Sequence, residues 1–251
     1  MPVIVDRQPP GVAIIAIDRP AKLNALNSET LHALTERITE LSRDPTLRMI
    51  VLRGAGERAF ASGADLGEMA ALSGPEAARA FITRIHQACA AIRAAPVPVV
   101  ARIVGPCLGA GLEIAASCDL RIAAANAHFA MPEVKLGLPS VVEAALLPRL
   151  VGLGRANRML FTGEPIGAAE ALNWGLVEEV VPEHAIDEAI ARLTETILRA
   201  GPQAVRLQKA LIAEWQELPL SGAIAAGIDC FARAWEGGEP RAMLEARPRK
   251  A

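Results

Sequence analysis

The sequence predicts an α/β core followed by a helical tail. Two observations predict it: short apolar strands alternate with amphipathic helices over the first two thirds, and the pattern from Glu183 onward is almost entirely helical. A third is composition: of 251 residues 52% are hydrophobic and 22% charged, enough to bury a sizeable core in one or two domains.

The elements follow in order. Val3–Val5 and Val12–Ile17 read as strands, with Pro9-Pro10-Gly11 turning between them as a hairpin. Asn27-Ser28 is a good N-cap for the stripe Leu31, Leu34, Ile38, Leu41, and Asp44-Pro45 ends that helix. Met49–Leu52 is a short strand closed by Gly54-Ala55-Gly56. Pro75 suits the first turn of a helix to Ala94, capped by Gly74 or Ser73. Val97–Val104 is a strand, Leu108–Ser117 a buried helix and Leu120–Ala123 a strand. Ser140-Val141-Val142-Glu143 has capping-box spacing ahead of a helix at Ala144–Leu150. Leu153–Phe161 and Ala168–Asn173 read as short helices and Leu176–Val181 as a strand. In the tail, Ile224, Ile228, Phe231 and Trp235 form an apolar face that requires a partner surface, the core or another subunit. The strand-strand-helix-strand order of residues 3–52 is not repeated as a clean sequence repeat.

Several function classes are excluded early. A net charge of −2, with scattered arginines, gives no electrostatic footprint for nucleic acid or membrane. Cys89, Cys107, Cys118 and Cys230 form no CxxC pair and no Cys/His cluster, so no metal is expected. They fit a reduced, cytoplasmic compartment. The N-terminus lacks a charged leader before a long apolar run, so no signal peptide is expected, and no apolar stretch reaches spanning length.

Two carboxylates stand out. Glu113 follows the small-residue turn Gly109-Ala110-Gly111, and Glu133 follows Pro132, both within segments that read as buried. A carboxylate in apolar surroundings is costly unless bonded, paired or protonated, and such burial raises its pKa toward the range useful for proton transfer. Their spacing lets a short helix run out and a strand return, so the two side chains can face one cavity. Either glutamate alone would read first as a partly buried residue with a structural bond.

The motifs Arg19-Pro20-Ala21-Lys22-Leu23-Asn24-Ala25-Leu26, Ala59-Phe60-Ala61-Ser62-Gly63-Ala64-Asp65-Leu66, Gly109-Ala110-Gly111-Leu112-Glu113, Cys118-Asp119-Leu120, Phe129-Ala130-Met131-Pro132-Glu133, Leu160-Phe161-Thr162-Gly163-Glu164 and Gly175-Leu176-Val177 occur in this order. The set resembles the crotonase, or enoyl-CoA hydratase/isomerase, superfamily, over nearly the whole chain. The resemblance implies a spiral of repeated β-β-α units, with residues 1–195 as the core carrying an acyl-CoA site. Residues 196–251 would be a helical region for oligomerisation and active-site cover, in a homotrimer or a dimer of trimers. It implies an acyl-CoA thioester substrate, CoA entering only as part of that substrate, and no other cofactor.

By the same resemblance, the N–H groups of Ala64 and Ala110 would bind the thioester oxygen. Losing one such donor typically raises a barrier by about 2.7–4 kcal/mol. Glu113 would activate water and Glu133 would deliver a proton to Cα, as in an enoyl-CoA hydratase. Lys22, Ser62, Asp65 and Leu66 match positions beside the CoA moiety, and Arg19 or the cationic end Arg247, Arg249 and Lys250 could meet its phosphates. Surface solvation explains Lys22 and Arg19 equally well, and Asp65 and Asp119 read as turn or cap residues. Where hydratases carry a glycine-rich loop this chain has Ser140-Val141-Val142-Glu143. Val141 excludes chemistry that needs an aspartate there. Glu143 reads as a capping-box residue bonded back to Ser140, or as a third acid/base in the pocket. The alternatives to a hydratase are an enoyl-CoA isomerase, a non-catalytic crotonase-fold binding protein and a serine peptidase. The last would need a serine–histidine pair that the sequence does not present.

Overall fold

The computed structural model describes residues 1–246; the cationic end Arg247, Arg249 and Lys250 lies outside them. The chain begins with β1 (Val3–Gln8) and β2 (Val12–Ile17), then α1 (Ser28–Ser42), β3 (Met49–Gly54), the short α2 (Leu66–Ala70) and α3 (Pro75–Ala94). The central part holds β4 (Val99–Ile103), β5 (Pro106–Leu108), α4 (Ala110–Ser117), β6 (Leu120–Ala124) and β7 (His128–Ala130). After α5 (Leu147–Val151), α6 (Leu153–Thr162), β8 (Ile166–Gly167), α7 (Ala168–Trp174) and β9 (Glu179–Val181) come the helices α8 (Ile186–Arg199), α9 (Pro202–Trp215), α10 (Leu220–Ala234) and α11 (Glu239–Glu245). A strand-strand-helix order recurs, as β1-β2-α1 and as β4-β5-α4.

Six strands form the main sheet in the order β1-β2-β3-β4-β6-β9. Only the β1/β2 hairpin is antiparallel; the other pairings are parallel. A parallel sheet needs cover on both faces, and the strands are written for it. Ala13, Ile15 and Ile17 of β2, Ile50 and Leu52 of β3, and Val99, Ala101 and Ile103 of β4 face the larger core with α1, α3 and α4. The alternate residues Val12, Met49, Val51 and Val100 pack with Ile186, Ala189 and Ile190 of α8. Arg102 interrupts that second face and is nevertheless buried, because its guanidinium pairs with Asp187 of α8 at 2.6 Å and Glu57 at 3.0 Å.

Helix ends follow local chemistry. Asn27 caps α1, its side-chain oxygen accepting from the Thr30 N–H at 3.0 Å. Gly74 precedes Pro75 at the start of α3, as the sequence predicts. Two expectations are corrected. Leu108 ends β5 rather than opening α4: Gly109 (φ +48°) breaks the chain between strand and helix. The capping box at Ser140–Glu143 does not form; a 3-10 turn covers Val142–Leu146 and the α-helix begins only at Leu147.

A small second sheet, β5-β7-β8, was not legible in the sequence. Its strands are two or three residues long, too short to show a period. The four cysteines are buried and free. Among the described residues no helix is long and apolar enough to cross a membrane.

Arg121 on β6 locks α4 to the sheet edge. Its Nε donates to the Leu176 carbonyl at 2.7 Å, its Nη1 to the Cys118 carbonyl at 2.8 Å, and its Nη2 pairs with Glu178. Arg121→Met strands these buried carbonyls, and should lower unfolding free energy by about 3 kcal/mol. Urea denaturation followed by circular dichroism checks this.

Candidate active site

A cavity of about 480 Å³ opens between α2, α3, the start of α4 and the segment after β7. Its walls are largely apolar and include Met69, Leu72, Phe81, Ile82 and Ile85. Both Glu113 and Glu133 line it, as do Ala64 and Ala110. The chain thus brings together the four positions that the sequence singles out.

Each is held by backbone. β5 ends at Leu108 and the chain turns at Gly109, where a Cβ would come within 2.4 Å of Glu133 Oε1. That lets Glu133 lie against the helix start. Ala110 is the first residue of α4, so its N–H has no intrahelical acceptor, and Glu113 is one turn further along. Opposite, Leu26 and Ala64 form a bridge: the Leu26 N–H donates to the Gly63 carbonyl at 2.8 Å and the Asp65 N–H to the Leu26 carbonyl at 2.9 Å. This pattern turns the Ala64 N–H away from the ladder. Neither the Ala64 nor the Ala110 N–H meets a protein acceptor among the described residues. Gly63 has φ +103°, which only glycine adopts readily, and its missing side chain lets the loop approach the Leu108 carbonyl. Asn24 is buried and braces the same loop, its amide donating to the Ala59 carbonyl at 2.8 Å and the Ala55 carbonyl at 3.1 Å.

Glu113 is 4% exposed. Burial pushes its carboxyl up from 4.5 to about 8; the Ala144 N–H, bonded to Oε1 at 3.0 Å, opposes this, while the Glu133 and Glu143 carboxylates reinforce it. Glu133 sits on the 3-10 turn Pro132–Leu136, half-buried, and its Oε2 accepts the Ser140 hydroxyl at 2.7 Å.

The remaining sequence candidates divide. Ser62 and Leu66 line the cavity; Lys22 and Asp65 do not. Lys22 is exposed at the end of a 3-10 turn, its carbonyl accepting the Ser62 hydroxyl at 3.3 Å. Asp65 caps α2 and pairs with Arg19 at 2.9 Å, and the Arg19 guanidinium holds its carboxyl below the usual range. Arg19 also donates to the Ala25 carbonyl at 2.6 Å, so it works inside the loop. Asp119 accepts from the Val99 N–H and pairs with Lys209, a turn-holding role.

Two expectations for Glu143 are corrected: it neither bonds to Ser140 nor lines the cavity. It is buried and pairs with His86 Nδ1 at 2.9 Å. Arg79 is the one cation among the lining residues, and the sequence reading missed it. A single arginine on an amphipathic helix carries no motif; only its place on the stripe Pro75, Ala78, Arg79, Ile82 pointed inward. Among the described residues no group of three or more His, Cys, Asp or Glu is arranged to hold a metal ion.

A family model described as enoyl-CoA hydratase/isomerase matches residues 7–240. The chain is 38% identical over 242 residues to a crotonyl-CoA hydratase of Syntrophomonas wolfei, covering 94% of this chain and 92% of the relative. It is 36% identical over 236 residues to a short-chain-enoyl-CoA hydratase of Clostridium acetobutylicum, covering 94% and 90%. Its fold superposes on a crystal structure of an enoyl-CoA hydratase from Bacillus anthracis with a TM-score of 0.92 at 33% identity, over 98% of this chain and 97% of that one.

The raised proton affinity of Glu113 has a consequence for stability. Between about 4.5 and about 8 the folded chain holds a proton that the unfolded chain releases, so the contribution of this group is complete below 4.5 and is lost as pH rises to about 8. Glu113→Gln removes that slope. The stability of the variant relative to wild type should therefore grow with pH across this window, as read from urea midpoints at a series of pH values.

Proposed function

We propose that this chain, which belongs to the enoyl-CoA hydratase/isomerase family of the crotonase superfamily, catalyses reversible addition of water to trans-2-enoyl-CoA thioesters. The observation that carries this reading is that Glu113 and Glu133 line one cavity together with Ala64 and Ala110, whose N–H groups meet no acceptor among the described residues.

The chemistry follows from that geometry. The thioester oxygen accepts from both amides, which gain strength as negative charge develops on it. Ala110 N–H also lies at the start of α4, where the aligned peptide dipoles favour an anion. The ionised Glu113 takes a proton from water as its oxygen bonds to Cβ, forming an enolate; Glu133 then gives a proton to Cα. The hydroxyl and the hydrogen add to the same face. Dehydration runs the same steps backward. The apolar walls at Met69, Leu72 and Phe81 suit an acyl chain, and CoA enters only as part of the substrate. Hydration rather than a double-bond shift is favoured because two carboxylates, one for each proton, face the cavity.

A panel of enoyl-CoAs in heavy-oxygen water tests the reading. Wild type should place label in a 3-hydroxyacyl product; a shifted double bond without label would identify an isomerase. Glu113→Gln and Glu133→Gln should each lower kcat by about 10²–10⁴-fold, and full activity in both would overturn the two-carboxylate assignment. Because Glu113 must be ionised to accept the proton, the rising limb of kcat/KM against pH for hydration should have its midpoint at about 8.

We also assign the helical region from residue 196 onward to oligomerisation and active-site cover, in a homotrimer or a pair of trimers. Ile224, Ile228 and Phe231 of α10 and Trp235 at its C-terminal cap support it: they are 58%, 67%, 68% and 45% exposed in the single chain. Light scattering should give a trimer or hexamer mass for wild type and a smaller mass for Ile228→Asp/Phe231→Asp. Four buried free thiols are in keeping with a reducing, cytoplasmic compartment.

A further inference from the structure

We infer that Glu143 is a positioning residue for Glu113, acting through the peptide that joins Glu143 to Ala144. The inference rests on the proposed acid–base role of Glu113 and names the group that tunes it.

Glu143 is 3% exposed, yet it lies outside the cavity wall. A carboxylate is rarely buried without a reason, because its desolvation must be offset by partners. Its partners all come from α3. His86 Nδ1 lies 2.9 Å from Oε1, and Arg93 Nη1 lies 3.9 Å from the same oxygen. The second oxygen, Oε2, is buried with no hydrogen-bond partner among the described residues. The carboxylate therefore reaches from the 3-10 turn to α3 as a clamp.

What the clamp holds is a strained piece of backbone. Val142 has φ +41°, a left-handed conformation that β-branched residues rarely adopt. Such a turn persists only when its surroundings fix it, and Glu143 is the next residue. One residue further, the Ala144 N–H donates to Glu113 Oε1 at 3.0 Å. That is the one hydrogen bond to the Glu113 carboxyl among the described residues. The chain of contacts runs from α3, through Glu143 and the Val142 turn, to the Ala144 amide and Glu113.

The clamp also brings a second negative charge near Glu113. Glu113 faces Glu133 from the turn after β7 and Glu143 from this turn; α3 contributes His86 and Arg93 beside Glu143, and Cys89. Cys89 faces both glutamates and Ser117, and burial keeps it a neutral thiol. Removing the charge of Glu143 alone should therefore weaken the hold of Glu113 on its proton, while removing the whole side chain should also free the turn.

Two variants separate these effects. In Glu143→Gln the amide oxygen still accepts from His86, so the turn stays in place. In Glu143→Ala it does not. The Glu113 carboxyl stretch, assigned by its loss in Glu113→Gln, is titrated by infrared difference spectroscopy. Hydrogen exchange of the peptide spanning Val141–Leu147 is followed by mass spectrometry. Glu143→Gln should make Glu113 about tenfold more acidic and leave exchange unchanged. Glu143→Ala should speed exchange of that peptide about tenfold or more. An unmoved Glu113 titration in Glu143→Gln, or unchanged exchange in Glu143→Ala, overturns the inference. If Glu143→Ala fails to fold, exchange of the same peptide in His86→Ala, which removes the other end of the clamp, decides: it should speed by a similar factor, and unchanged exchange overturns the inference. Absence of thioester turnover in wild type would instead refute the hydratase reading, and both readouts here would still stand.

Discussion

The site depends on a single backbone hydrogen bond. Glu113 is enclosed by α4, α3 and the Val142–Leu146 turn, and the Ala144 N–H is the donor that reaches its carboxyl. A buried carboxylate with several donors would be fixed as an anion; one with none would be fixed as an acid. One donor against strong desolvation leaves Glu113 balanced at about 8, where both protonation states are accessible near neutral pH. The turn, its clamp on α3 and the start of α4 must all hold still for that balance to persist.

The sheet makes this possible by supplying rigid edges. β4 and β6 are covered on both faces, and β5 leaves β4 to run into Gly109 and α4. On the other side, Asn24 and Leu26 hold the loop carrying Ala64 against the end of β3 and Ala59. The cavity is thus bounded by elements braced by their own hydrogen bonds, with the Ala64 and Ala110 N–H groups left without an acceptor among the described residues. The part that departs from the pattern, Ser140–Glu143, has its own internal wiring: Ser140 supports Glu133, and Glu143 supports the turn beside Glu113.

Much of this was legible in the sequence. Asn27, Pro75 and Gly74 mark helix starts because capping and proline geometry are local. The strands β2, β3 and β4 are legible because burial on both faces writes continuous apolar runs. Glu113 and Glu133 are legible as charges within such runs, and Ala64 and Ala110 through the motifs around them. What was hidden depends on contacts far apart in sequence. The strands of the second sheet are too short to carry a period. Ser140 and Glu143 have the spacing of a capping box, but Glu133 and His86 offer better partners, and no local rule contains those partners. Asp65 caps and pairs as its type suggests, while Arg19 turns inward to it, which the sequence alone left open.

Ala64 and Ala110 contribute main-chain atoms to the cavity, and their separation is set by ladders: Leu26 to Ala64, and Ala61 to Cys107, through which the loop and β5 are joined. Side-chain identity at these two positions therefore governs the shape of the space without governing the distance between donors. The methyl of Ala110 takes up room in the cavity and leaves the position of its N–H unchanged. Substitution of side chains around the cavity can therefore reshape it while the main-chain atoms that face it stay where the ladders put them.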